Sequence, residues 1–162
     1  MPKIPVLVCL LALSLTACQT RETRQDTAPD TIRKQARHNG GVIEIQPLQE
    51  PAIRTLVQQA RQYEAQGQYR WALKRVRQAL QLAPGHPELL QHLAELLLQQ
   101  GHADLALAYA RDSWQRGPRV GPLCRRNWLT MARAHQLENH PRKAQEAQRQ
   151  AQRCVIQPGI RL

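Results

Sequence analysis

Between residues 53 and 158 apolar side chains recur three and four positions apart, as in Leu89, Leu90, Leu93, Leu96 and Leu97. That spacing is one face of an α-helix, and no run over this stretch alternates as a half-buried strand does. Small residues fall at positions 60, 72, 94, 106, 132 and 144, where antiparallel helices must approach closely. Gly67, Gly101 and Asn139 stand where a first helix ends in a left-handed residue and the chain turns back. Pro84 and Pro118 then stop each second helix. The fold class is therefore all-α, built from helix-turn-helix units. Gly67 to Gly101 sets a period of 34 residues. From Gly101 to Asn139 is 38, so four residues are inserted, and Gly117-Pro118-Arg119-Val120-Gly121-Pro122 is where they fit.

The pattern resembles the tetratricopeptide repeat in both period and signature positions. The first copy reads Leu56-x-x-Gln59-Ala60-x-x-Tyr63, then Gly67, Tyr69, Ala72, Val76, Ala79 and Pro84. The second reads Leu90-x-x-Leu93-Ala94-x-x-Leu97, then Gly101, Ala106, Ala110 and Pro118. The displaced third reads Trp128-x-x-Met131-Ala132-x-x-His135, then Asn139, Ala144, Gln148 and Ala151. The resemblance implies a repeat domain over 51–158, in units of about 53–86, 87–120 and 125–158, stacked as a short right-handed superhelix. Without any Phe, its core is expected to be Leu, Ala and Val, with Trp71, Trp114 and Trp128 as large fillers. The resemblance also implies a concave groove that binds a protein or peptide partner. Its positions here are Arg54, Val57, Gln58 and Arg61, then Gln91, His92, Glu95 and Gln99, then Leu129, Thr130, Arg133 and Gln136. Arg61 and Arg133 flanking Glu95 would grip a carboxylate or acidic segment. Val57 and Arg61 replace the lysine and asparagine of the chaperone-tail carboxylate clamp, so that ligand is not implied. The chain ends soon after the third copy, and an uncapped end would expose apolar surface to a partner or a second copy, a possible homo-oligomer contact.

Ahead of the repeats, Lys3 precedes an apolar run from Ile4 to Leu15 that is too short to span a bilayer. It ends in Leu15-Thr16-Ala17-Cys18, which resembles the lipobox of bacterial lipoproteins. Residues 1–17 would be a cleaved signal peptide and Cys18 the lipidated first residue, with acyl chains that hold the protein on a membrane without a transmembrane helix. Gln19, where the family's sorting rule puts Asp for inner-membrane retention, implies the outer membrane, periplasmic face. Residues 18–50 read as the lipidated cysteine and a flexible tether, rich in Thr, Arg, Gln and Asp. Within it Val42-Ile43-Glu44-Ile45 is an apolar patch expected to pack on the first repeat, and 159–162 is a tail.

The formal charge is +11, and the signal removes only one base from it. An exported protein meets anionic lipid, acidic peptidoglycan stems and acidic proteins rather than nucleic acid. A basic polyanion-binding lipoprotein is therefore the alternative to a partner-binding adaptor. With Cys9 removed and Cys18 lipidated, Cys124 and Cys154 remain in an oxidising compartment. Antiparallel pairing of the third repeat's helices would bring them together as a disulfide. No enzyme is implied: the six histidines show no paired metal spacing, Ser113 has no elbow motif, and Glu64, Glu88, Glu95, Glu138 and Glu146 lack a recognisable catalytic context. No cofactor or metal is expected.

Overall fold

A computed structural model describes residues 27–37 and 50–154. Among them are seven helices and no strand: α1 (Ala28–Arg37), α2 (Pro51–Ala65), α3 (Tyr69–Leu82), α4 (Pro87–Gln99), α5 (Ala103–Arg116), α6 (Gly121–Leu137) and α7 (Pro141–Arg153). The signal peptide, Cys18, Gln19, the Val42–Ile45 patch and the tail lie outside the described residues. No described helix is long and apolar enough to cross a membrane.

Helices α2/α3, α4/α5 and α6/α7 are the three hairpins, each stacked on the next. Proline opens α2, α4 and α7, where its missing N–H leaves no intrahelical bond unmade. Gly67, Gly101 and Asn139 all adopt positive φ, 71°, 83° and 57°, as the turn positions require. Alanines 60, 72, 94, 106, 132 and 144 are all buried, so the helices touch almost backbone to backbone. Helix α4 lies at the centre: α1, α3, α5 and α6 all pack on it, and every residue from Leu89 to Leu98 is buried. A helix covered on all sides gains from apolar residues all round, which is why its leucines exceed a single stripe.

Two expectations change. Trp71 is half-exposed, stacked on Tyr63 at 6.2 Å between ring centroids with Lys74 over its face, so it is a surface residue and not a core filler. Trp114 and Trp128 meet edge to face at 5.2 Å. The four inserted residues extend α6 backward to Gly121, making it the longest described helix. The end of the array is also not an apolar surface: α7 buries Ala144, Ala147 and Ala151 and exposes Arg142, Lys143, Gln145, Glu146, Gln148, Arg149, Gln152 and Arg153. Among the described residues α7 thus turns a polar face outward at the end of the stack, as a capping helix does.

Cys124, in the first turn of α6, is bonded to Cys154 at the end of α7, with Cα atoms 5.7 Å apart. The Gly121 N–H donates to the Cys154 carbonyl at 2.6 Å, tying the same two ends.

The largest departure concerns the tether. Residues 28–37, expected to be coil, form α1, and α1 packs against α4 and α6. Thr27 donates to the Asp30 carboxylate at 2.9 Å in the first turn, and Lys34 and Arg37 occupy the last turn, where the helix dipole favours cations. Pro29, Ile32 and Ala36 are buried.

Candidate functional site

Helix α1 is seated on α4 and α6, the first helices of the second and third repeats, and α2 reaches it through Glu64. Helix α4 brings Gln91, His92 and Glu95 to the floor beneath α1, all three buried. Polar groups withdrawn from water need partners, and here the partners come from three other helices. Glu95 is fully buried and is held from two sides. Arg126 of α6 donates from Nε to Glu95 Oε1 at 2.9 Å and from Nη2 to Oε2 at 3.1 Å, and from Nη1 to Glu88 Oε2 at 2.9 Å. Arg33 of α1 donates from Nε to Glu95 Oε2 at 2.8 Å and from Nη1 to Glu64 Oε2 at 2.9 Å. The other oxygen of Glu64 meets His92 Nε2. Gln91 completes the chain, donating to Glu95 Oε1 at 3.0 Å and to Thr130 Oγ1 at 2.7 Å.

The electrostatics follow from this wiring. Burial alone would raise the Glu95 carboxyl, but Arg126 and Arg33 overcome it and bring the group from 4.5 down to about 2. Glu64 is likewise lowered: burial opposes the shift, and the His92 hydrogen bond and charge, with Arg33 behind them, win. Desolvation disfavours the charged forms of both arginines, yet the carboxylates raise each above its ordinary value.

A carboxylate lowered in the folded state stabilises the fold fully above its unfolded value and loses that contribution as pH falls toward its folded one. Glu95 therefore contributes roughly 3 kcal/mol that disappears between pH 4.5 and about 2. Urea midpoints recorded from pH 7 to pH 2.5 should fall through this window, and Glu95→Gln should flatten that part of the slope.

The expected groove residues divide. Gln91 and Glu95 come together, but neither is open to a ligand. Arg61 and Arg133 do not flank Glu95; the two guanidiniums that grip it are Arg33 and Arg126. Arg54 and Arg61 are exposed on α2. Arg133 is exposed on α6, donating to Gln136 at 3.2 Å. The trough thus carries Glu64 and Glu95 at its floor, and its occupant is a basic helix whose Arg33 meets both. Beside α1 a cleft of about 650 Å³ remains, lined by Thr31 and Gln35 of α1 together with Tyr69, Leu129, Arg133 and Gln148.

Away from this face, His135 and His140 approach the same oxygen of Glu138 at 3.4 and 3.3 Å across the α6–α7 turn. The sequence spacing did not single out this group. The Glu138 carboxylate thus stands between two imidazoles at the turn that Asn139 makes. Ser113 is also engaged structurally, its buried hydroxyl donating to the Pro87 carbonyl at 2.8 Å and joining α5 to the start of α4.

The tetratricopeptide repeat family model matches residues 63–119. No curated protein matches the sequence. Among solved structures, the globular C-terminal domain of P. aeruginosa LpoP is similar with a TM-score of 0.60 at 24% identity, covering 64% of this chain and 98% of that one. The Yersinia enterocolitica type III secretion translocator chaperone SycD is similar with a TM-score of 0.60 at 16% identity, covering 67% of this chain and 80% of that one. The fold is that of stacked tetratricopeptide hairpins, an architecture suited to protein–protein interaction.

Proposed function

We propose that this chain of tetratricopeptide fold is a lipid-anchored adaptor of the bacterial envelope, held at the periplasmic face of the outer membrane through Cys18 and binding a protein partner with its concave face. The observation that carries the reading is α1 itself: the face already holds a helix, through a buried aliphatic side chain and a two-carboxylate arginine contact. A surface shaped for one helical segment is shaped for another of the same chemistry. The Leu15-Thr16-Ala17-Cys18 sequence supports the anchor. The likeness to a secretion translocator chaperone, by its name a protein that attends another protein, supports a protein partner.

The test is crosslinking in intact cells of the tagged, lipidated protein, comparing wild type with Gln136→Trp, which fills the cleft beside α1 without changing its charge. A discrete protein recovered with wild type and lost in the variant is expected. Recovery of only cell wall or lipid, unchanged by the substitution and stripped by moderate salt, would overturn the adaptor and leave polyanion attachment through the basic surface.

A further inference from the structure

We propose that α1 is an internal stand-in for the partner: the concave face recognises a short amphipathic helix that presents an arginine directly after a buried aliphatic residue, and such a helix displaces α1. The inference rests on the adaptor reading and names the chemistry of its ligand.

Four observations converge. Ile32 is 4% exposed and belongs to the main core cluster with Leu93, Leu97 and Ala134, so the face has a real aliphatic socket. Arg33, the next residue, reaches two carboxylates on two different helices, Glu64 of α2 and Glu95 of α4. The floor also grips the backbone at both ends of α1: the Ala28 N–H donates to Gln99 Oε1 at 2.9 Å, and Arg125 Nε donates to the Gln35 carbonyl at 2.9 Å. Contacts to an N-terminal N–H and a C-terminal carbonyl read helix ends, which any helix of that length offers. Finally, α1 has ten residues, below the roughly 12–15 at which an isolated helix holds in water, so its helicity depends on being seated. Such an element opens as a unit, separately from the repeats.

With α1 gone, Glu64 and Glu95 lose Arg33 and keep only His92, Gln91 and Arg126. The vacated place between these two carboxylates selects an arginine, although the protein as a whole is strongly basic. Recognition is therefore short-range, and long-range steering works against the ligand, so its affinity should not fall steeply with salt as polyanion attachment does. Displacement also changes reach. Seated α1 leaves only about ten residues between Cys18 and the repeat body, at most about 35 Å of chain; released, about 33 residues span up to roughly 110 Å. A partner that takes the face would thereby let the anchored domain move farther from its membrane.

The experiment uses the full mature chain carrying Ile32→Asp and Arg33→Glu, which empties the face, and a fluorescent peptide with the sequence of residues 27–38. Anisotropy should show the peptide binding the emptied protein at least tenfold more tightly than wild type, and an Arg33→Glu peptide binding neither. Peptide that binds neither protein, or both equally, while melting shows the repeats folded, overturns the proposal. Should the double variant not fold, Arg33→Ala alone gives the same comparison with a smaller ratio, and an unchanged ratio counts against the proposal. Failure to crosslink a cellular partner would sink the adaptor reading but leave this peptide result standing, so the two are separable.

Discussion

Arg126→Leu should cost the repeat domain about 3–5 kcal/mol, because it strands a fully buried carboxylate. Arg126 makes two of the bonds to Glu95 and one to Glu88, and it belongs to α6, inside the folded stack. Once it is lost, Glu95 is left with Gln91 and with Arg33, whose helix is the shortest of those described. Glu95 must then either bind a proton or draw water into the α4–α6 contact, and either route loosens the central helix. Urea denaturation at pH 7 measures the loss. The double variant Glu95→Leu/Arg126→Leu should recover most of it, since a buried ion pair replaced by apolar groups of similar volume is often neutral or better. A single variant with wild-type stability would mean that Arg33 alone satisfies Glu95.

Cleaving the Cys124–Cys154 bond, by reduction or by the paired Cys→Ser variant, should cost about 3–4 kcal/mol, the chain-entropy value for a loop whose ends are 30 residues apart. The effect should fall on the third hairpin. Helix α7 buries only three alanines among its 13 residues, so little apolar area holds it to α6. The bond and the adjacent Gly121 N–H contact to Cys154 supply what packing does not. Reduced protein should therefore show a lower urea midpoint and faster amide exchange in α7 than in α4. Coincident unfolding curves for oxidised and reduced protein would contradict this.

The hairpins, their turns and the cysteine pairing were legible in the sequence because each depends on neighbours within one repeat. Gly67, Gly101 and Asn139 announce their left-handed turns locally, and the hairpin geometry then places Cys124 beside Cys154. The concave face was legible only as a set of positions. Its charge was misread because the arginines that matter come from outside the repeat signature. Arg126 stands two residues before Trp128, ahead of the third copy's signature and outside its set of groove positions, and Arg33 lies on a segment far away in the chain. Helix α1 did leave a signal: Thr27-Ala28-Pro29-Asp30 is a helix start, and Ile32 and Ala36 lie four apart. With a single large apolar residue in ten, that signal falls below what separates a helix from coil, because the stabilising surface is supplied by α4 and α6. Trp71 was misplaced for a related reason: its size suggests a core filler, but the aromatic partner is Tyr63 at the hairpin's edge.

The central claim is that the concave face is a helix-binding site held by the chain's own α1. Amide hydrogen exchange on the full mature protein tests it most directly, read at residues 28–37 in wild type and in Arg33→Glu. Protection of α1 in wild type, lost in the variant while α4 stays protected, is the predicted result. Complete exchange of residues 28–37 within seconds in wild type, beside a protected α4, would show the face to be empty and contradict the account.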